Sequence, residues 1–400
     1  MTPRGAHERP PSGGRLKRQE MLVSAFSSVV CTDVLVIGGG PAGLAAAIAL
    51  RQQGIGVTVV EARAASIDKA CGEGLMPEAL TALERLGIWL DTRDGVPFRG
   101  IHFEDLNTHV EAAFPSKPGL GVRRLRLHER LRARAEEAGA HLLWETRCQL
   151  AGPQSALVNG EEIRFRVLVG ADGQASQVRA WAGLDACRVD RVRYGFRRHY
   201  RMEPWTDRVE VHWAERGQLY ITPVAEDCVC VAFVGREPMR EDEPWQPHFP
   251  RVAERIGNAA ECSVPRGSLS ATRVLREVER GSSVALVGDA AGSVDAVTGE
   301  GLAGCFQQAE ALAAAIARGD LESYARAHRA ISRLPHRMAE LLLLMDRYPA
   351  LQQRALVALA LRPHLFEELL AVHVGERGLP RFALERGPQL CWGLMTASSF

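Results

Sequence analysis

The chain is 400 residues long, with 49 basic and 48 acidic side chains that leave a net charge of +1. Such a length allows two or three domains with a sizeable core, and the cancelled charge excludes a coat for nucleic acid or another polyanion. Hydrophobic residues at 46% and charged residues at 24% are ordinary for a globular protein, and neither an internal repeat nor a long low-complexity tract interrupts them.

Residues 1–31 read as a disordered tail, rich in Arg, Pro and Gly up to Glu20. Lys17 and Arg18 before Met21–Val30 faintly resemble a signal peptide, but three serines and the lack of a cleavage site favour a dispensable tail, with Met21 as a second candidate start. Asp33–Ile37 (DVLVI) is an apolar run of the kind a buried parallel strand shows. Gly38-Gly39-Gly40-Pro41-Ala42-Gly43 follows, then the small-residue helix Leu44–Gln53, the strand Val57–Val60 and Glu61. This is the spacing of a dinucleotide site. Gly38 permits the tight turn, Gly40 lets the backbone approach a pyrophosphate, and Gly43 lets helix and strand pack closely. Glu61 can accept the ribose hydroxyls of an adenosine and repels a 2′-phosphate. The motif by itself leaves NAD and FAD both open.

Further along, Lys69–Leu75 (KACGEGL) sets Cys71 on a glycine-framed loop, where a thiol is either a small buried group or a functional one. Arg124–Gly139 has the periodicity of an amphipathic helix stopped by Gly139. Phe165–Val169 is another apolar strand, leading into Gly170-Ala171-Asp172-Gly173 and on to Ser176 and Arg179. Val209–Trp213, Leu219–Pro223 and Cys228–Val234 are strand-like runs of an antiparallel sheet, expected to bring Tyr194, Tyr200, Trp213 and Tyr220 to its inner face. His199 and His212 lack metal-ligand spacing, so no metal is expected. A strand within Ser283–Val287 runs into Gly288-Asp289, then Thr298-Gly299-Glu300-Gly301 and a helix through Ala317. Leu321–Leu370 reads as helical with breaks at Pro335, Pro349 and Pro363. Its leucines suit packing against the body, and equally a partner chain or peripheral contact with a membrane. The nine cysteines form no CxxC pair, which fits reduced thiols in the cytoplasm; Cys228 and Cys230 share one strand face. No apolar run reaches membrane-span length.

Three of these motifs, the GGGPAG turn with Glu61, Asp172–Arg179 as DGxxSxxR, and Gly288-Asp289, resemble the FAD-dependent oxidoreductases of the para-hydroxybenzoate hydroxylase and geranylgeranyl reductase superfamily. The resemblance spans about residues 32–330. It implies an α/β chain: a Rossmann-like FAD-binding domain (32–185 and 265–330), an inserted antiparallel-sheet substrate domain (186–264) and a C-terminal helical segment (331–400). It implies FAD held by Gly38, Gly40, Gly43 and Glu61, by Arg124 at a helix start, by Asp172 and Gly173 near the pyrophosphate, and by Asp289 on the ribityl chain. Gly299 and Gly301 would lie at the ring, with a helix N-terminus aimed at it. The Cys71 loop and the TGEG turn resemble the reductase branch, which makes Cys71 the candidate catalytic residue. The expected activity carries electrons from NAD(P)H through FAD to a hydrophobic small molecule. A monooxygenase on the same scaffold and a non-catalytic electron carrier are its rivals, and the oligomeric state is left open.

Overall fold

The computed structural model describes residues 30–239 and 243–397; all but the end of the expected tail therefore lies outside the described residues. The first strand, Val30–Ile37, buries Val34, Leu35 and Val36 completely at the centre of an eight-stranded sheet. It pairs in parallel with Val57–Val60 on one side and with Glu161–Gly170 on the other. Strand Val284–Leu286 extends the sheet beyond Glu161–Gly170, also in parallel. Buried on both faces, such strands need no polar alternation, which is why they read as continuous apolar runs.

The turn after the first strand depends on two glycines. Gly38 has φ +112°, and a Cβ there would stand 2.4 Å from the Ala171 carbonyl oxygen. A Cβ on Gly43 would stand 1.8 Å from the Gly38 carbonyl oxygen, so any side chain there pushes helix Pro41–Gln52 off the sheet. From Gly43 to Leu50 every residue of that helix is buried.

The second sheet has seven strands, in the order 266–275, 187–201, 228–235, 217–225, 209–214, 100–104, 109–113. Its centre is the run expected from sequence, but both edges come from outside 186–264. Arg266–Leu275 pairs with Cys187–Arg201, and Val209–Ala214 pairs in parallel with Gly100–Glu104. Side chains alternate across this sheet. Tyr220 and Trp213 point inward as expected, Trp213 into an apolar cluster with Phe98, Leu359 and Phe366. Tyr200 points the other way: its ring meets Trp245 edge-on in an apolar cluster that also holds Phe233, and its hydroxyl accepts the Trp245 indole at 3.1 Å. The correction is one of parity, because sequence alternation fixes which residues share a face but not which face is inner.

Helices Gly301–Arg318, Leu321–Arg347, Pro349–Ala360, Pro363–His373, Leu379–Glu385 and Gly387–Thr396 close the molecule. Pro349 and Pro363 open new helices at their first turns, where a missing N–H costs nothing. Pro335, expected as a break, lies inside the 27-residue helix Leu321–Arg347. The ends of that helix are both anchored, and this holds it together across one lost hydrogen bond. Near its start the Tyr324 hydroxyl donates to the Leu286 carbonyl of the first sheet at 2.5 Å. Near its end Asp346 accepts from Arg193 at 2.8 Å and from Gln218 at 2.5 Å, both of the second sheet. Among the described residues no helix is long and apolar enough to cross a membrane.

Candidate functional site

The strand ends of the first sheet, the Cys71 loop, the inner face of the second sheet and the C-terminal helices enclose a cavity of about 1250 Å³. Every residue singled out from sequence as a site residue lines it except Gly43, whose task is the helix–strand contact.

At the glycine-turn end the backbone does the work. A Cβ on Gly40 would meet nothing within 4 Å, so the N-terminus of helix Pro41–Gln52 is open to the cavity. Unpaired N–H groups and the positive end of the helix dipole suit a phosphate there. Arg124 lies on the cavity wall, and its Nε is buried without a hydrogen-bond partner. A buried, unsatisfied guanidinium nitrogen is costly, and an anionic ligand would relieve it. Glu61 closes this end: its Oε2 accepts the Gly39 amide at 2.8 Å and its Oε1 the Arg63 amide at 2.9 Å.

The two later motifs are wired to each other. Asp172 accepts the Ser176 hydroxyl at 2.5 Å and the Gln177 amide at 2.7 Å, capping the short helix that follows. Arg179, only 3% exposed, donates to the Gln174 carbonyl at 2.7 Å and to the Ala290 carbonyl at 3.1 Å. The Ser and Arg of this motif thus fix one loop against the Gly288-Asp289 turn. Asp289 itself pairs with Lys69 at 3.3 Å, in an exposed position where such a pair contributes little.

Glu73, which sequence reasoning passed over, is the most heavily engaged acid of the site. It sits between Gly72 and Gly74 at φ +60°, its side chain fully buried. Oε1 accepts the Arg124 amide at 2.9 Å and Arg197 Nη1 at 2.9 Å, while Oε2 meets His199 Nε2 at 2.6 Å. Arg197 also forks onto Asp68, at 3.1 and 3.0 Å. Burial works against charge on Glu73, but the His199 and Arg197 contacts and the Arg124 amide outweigh it and hold the carboxyl below its usual range. The available signal was Arg193, Arg197 and His199 at odd positions of one strand, charged groups on a face otherwise turned inward. Candidate metal-ligating atoms of Glu73, His199 and Cys230 lie within 4.8 Å of one another. The donor set does not fit a cation: the carboxylate is already held by Arg197 and His199, and burial drives the Cys230 thiol far up.

At the other end, Glu300 precedes helix Gly301–Arg318. Burial, reinforced by the Glu78 carboxyl, pushes Glu300 up to about 9, and its Oε2 has no hydrogen-bond partner. His373 lies beside it at 3.8 Å; its Nε2 donates to the Thr298 carbonyl at 3.2 Å, tying helix Pro363–His373 to this turn. Burial lowers His373 to about 4, so at neutral pH both groups are uncharged.

The sequence profile of a family described as FAD binding domain matches residues 31–323. A menaquinone reductase from Mycobacterium tuberculosis is 36% identical over 155 residues, covering 36% of this chain and 38% of that protein. A dialkyldecalin synthase from Streptomyces rugosporus is 27% identical over 288 residues, covering 67% of this chain and 61% of that protein. The chain thus spans less than two thirds of the length of these relatives. Among solved structures, a flavoprotein/dehydrogenase from Cytophaga hutchinsonii superposes with a TM-score of 0.77 at 18% identity, covering 92% of this chain and 100% of that one. At that identity the likeness is one of fold.

Proposed function

The chain belongs to the FAD-binding domain family and is an FAD-dependent oxidoreductase, and from that premise we propose that it is a reductase of a hydrophobic small molecule, with NAD(P)H as electron donor. The observation that carries this reading is the apolar chamber beside the Thr298–Gly301 turn, walled by Leu342, Met345, Phe366, Leu370 and Leu390 of the C-terminal helices. Such walls recognise an apolar body and hold no charged substrate. An unused chamber of this kind would have no purpose in a bare electron carrier.

When bound, FAD supplies hydride transfer; the chain's own groups bind, orient and exclude water. Glu61 takes the adenosine ribose, Arg124 and the Gly38–Gly43 turn the pyrophosphate with Asp172 and Gly173 beside it, and Asp289 the ribityl chain. Gly299 and Gly301 bring backbone amides to the ring, and Cys71 contributes its thiol to the facing wall. The menaquinone reductase and the resemblance of the CGEG and TGEG segments to geranylgeranyl reductases support an isoprenoid acceptor.

The test is to photoreduce the flavin-loaded protein without oxygen and add a prenylated quinone or a polyprenyl lipid. Reoxidation of the flavin before oxygen is admitted is the expected result. Turnover only with oxygen, with an oxygen atom in the product, replaces this reading by the monooxygenase one. Stopped-flow mixing with NADH and NADPH identifies the donor.

A further inference from the structure

Two thiols outside the cavity stand in bonding range. Cys228 Sγ and Cys262 Sγ are 3.6 Å apart, 34 residues apart in sequence. Cys228 opens strand Cys228–Gly235 and is buried, whereas Cys262 lies on the segment before strand Arg266–Leu275 and is partly exposed. An S–S bond is about 2.05 Å long, so closure brings the two sulfurs together by about 1.5 Å.

The same segment is wired to the buried acid of the site. The Cys262 amide donates to the His199 carbonyl at 2.9 Å, and the Ser263 hydroxyl meets His199 Nδ1 at 2.7 Å. His199 Nε2 in turn holds Glu73, the neighbour but one of Cys71. On the strand side, Cys230 shares a face with Cys228 and its Sγ lies 3.8 Å from the Cys71 carbonyl. Both ends of the thiol pair therefore lead to the Cys71–Glu73 loop.

We propose that Cys228 and Cys262 form a reversible disulfide whose closure acts on the His199–Glu73 contact beside the cavity. The oxidant is a low-molecular-weight disulfide. Cys262 gives its proton to water and attacks one sulfur of the oxidant, expelling the first thiolate and leaving a mixed disulfide. Cys228 then gives up its proton and attacks Cys262 Sγ, expelling the second thiolate. Two protein thiols lose two electrons and two protons, and the oxidant becomes two thiols. Burial pushes the Cys228 thiol up to about 12, so the exposed partner reacts first and the second step is the slow one.

The bond itself does not rest on the reductase reading, and its test needs no substrate. The full-length flavin-loaded protein is treated with oxidised glutathione, its free thiols are titrated, and its peptides are mapped by mass without reduction. The expected outcome is a Cys228–Cys262 peptide that dithiothreitol reverses, formed apart from any adducts on the exposed Cys31 and Cys391. Cys228→Ala stops at a glutathione adduct on Cys262, Cys262→Ala gives neither product, and Cys71→Ser still cross-links. Cys262→Ala, at the more exposed position, serves if Cys228→Ala does not fold. The flavin visible spectrum shifts on oxidation of the unsubstituted protein and not of Cys262→Ala. A lasting glutathione adduct on Cys262 of the unsubstituted protein, or a cross-link to any other cysteine, overturns the bond. A Cys228–Cys262 cross-link with an unchanged flavin spectrum overturns its action on the site.

Discussion

The two walls of the cavity are built on opposite terms. On the glycine-turn wall the ligand-facing groups are backbone amides and one unpartnered arginine nitrogen, and side chains matter mainly by their absence. On the Glu73 wall, charged side chains from distant parts of the chain converge and pair with one another before any ligand arrives, with Arg197 Nε left over. A wall made of backbone is local in sequence and vacant toward its ligand. A wall made of buried charges is assembled from afar and mostly engaged within itself. The first should therefore lose affinity when damaged, the second stability.

The largest effect tests that contrast directly. Glu73→Leu leaves His199 Nε2 buried without its acceptor and Arg197 held by Asp68 alone, and removal of one partner of a buried ion pair costs about 3–5 kcal/mol. Denaturant unfolding should show that loss, with Glu73→Gln milder because it keeps an acceptor oxygen. A melting midpoint unchanged in Glu73→Leu would make the two walls equivalent. Next in size, Glu61→Ala should weaken FAD binding by about 1.5–3 kcal/mol, the worth of a hydrogen bond to a charged group, with a smaller effect on unfolding of the apoprotein. Fluorescence titration with FAD measures it, and unchanged affinity would move the adenosine ribose elsewhere. The last effect is set by pH and concerns the turn at the other end of the cavity. Glu300 has a folded-state value of about 9 against an ordinary 4.5, so the folded chain keeps a proton that the unfolded chain releases. Its stabilising contribution is full below about pH 4.5 and is lost as pH rises toward 9. Glu300→Gln should accordingly lose fewer degrees of melting temperature between pH 6 and pH 9 than the unsubstituted protein.

The same contrast explains what was legible in the sequence. The first strand, the turn and Glu61 lie within about thirty residues, and each is forced by a local steric or electrostatic need, so their pattern announces itself. Glu73 stood in full view between two glycines, yet its partners Arg197 and His199 lie 124 and 126 residues away, and nothing local marks them as its partners. Tyr200 illustrates a second gap, since alternation along a strand is local information while the identity of the inner face depends on how two sheets meet. Strands 100–104 and 109–113 are only five residues each and carry histidines and glutamates, and the parallel partner that makes them a sheet edge lies more than a hundred residues on. Pro335 is a third case. A local rule ended the helix there, and anchors at Tyr324 and Asp346 kept it whole.

That helix gives the molecule a mechanical property. Twenty-seven residues at 1.5 Å each make a rod about 40 Å long. One end is pinned to the sheet that carries the glycine turn, the other to the sheet that carries the Glu73 partners. A rod fixed at both ends turns any change of angle between the sheets into bending along its length. Bending concentrates where the internal bracing is thinnest, and the proline removes a brace near the middle of the span. The molecule thus has a spine with one soft vertebra, lying along the apolar chamber.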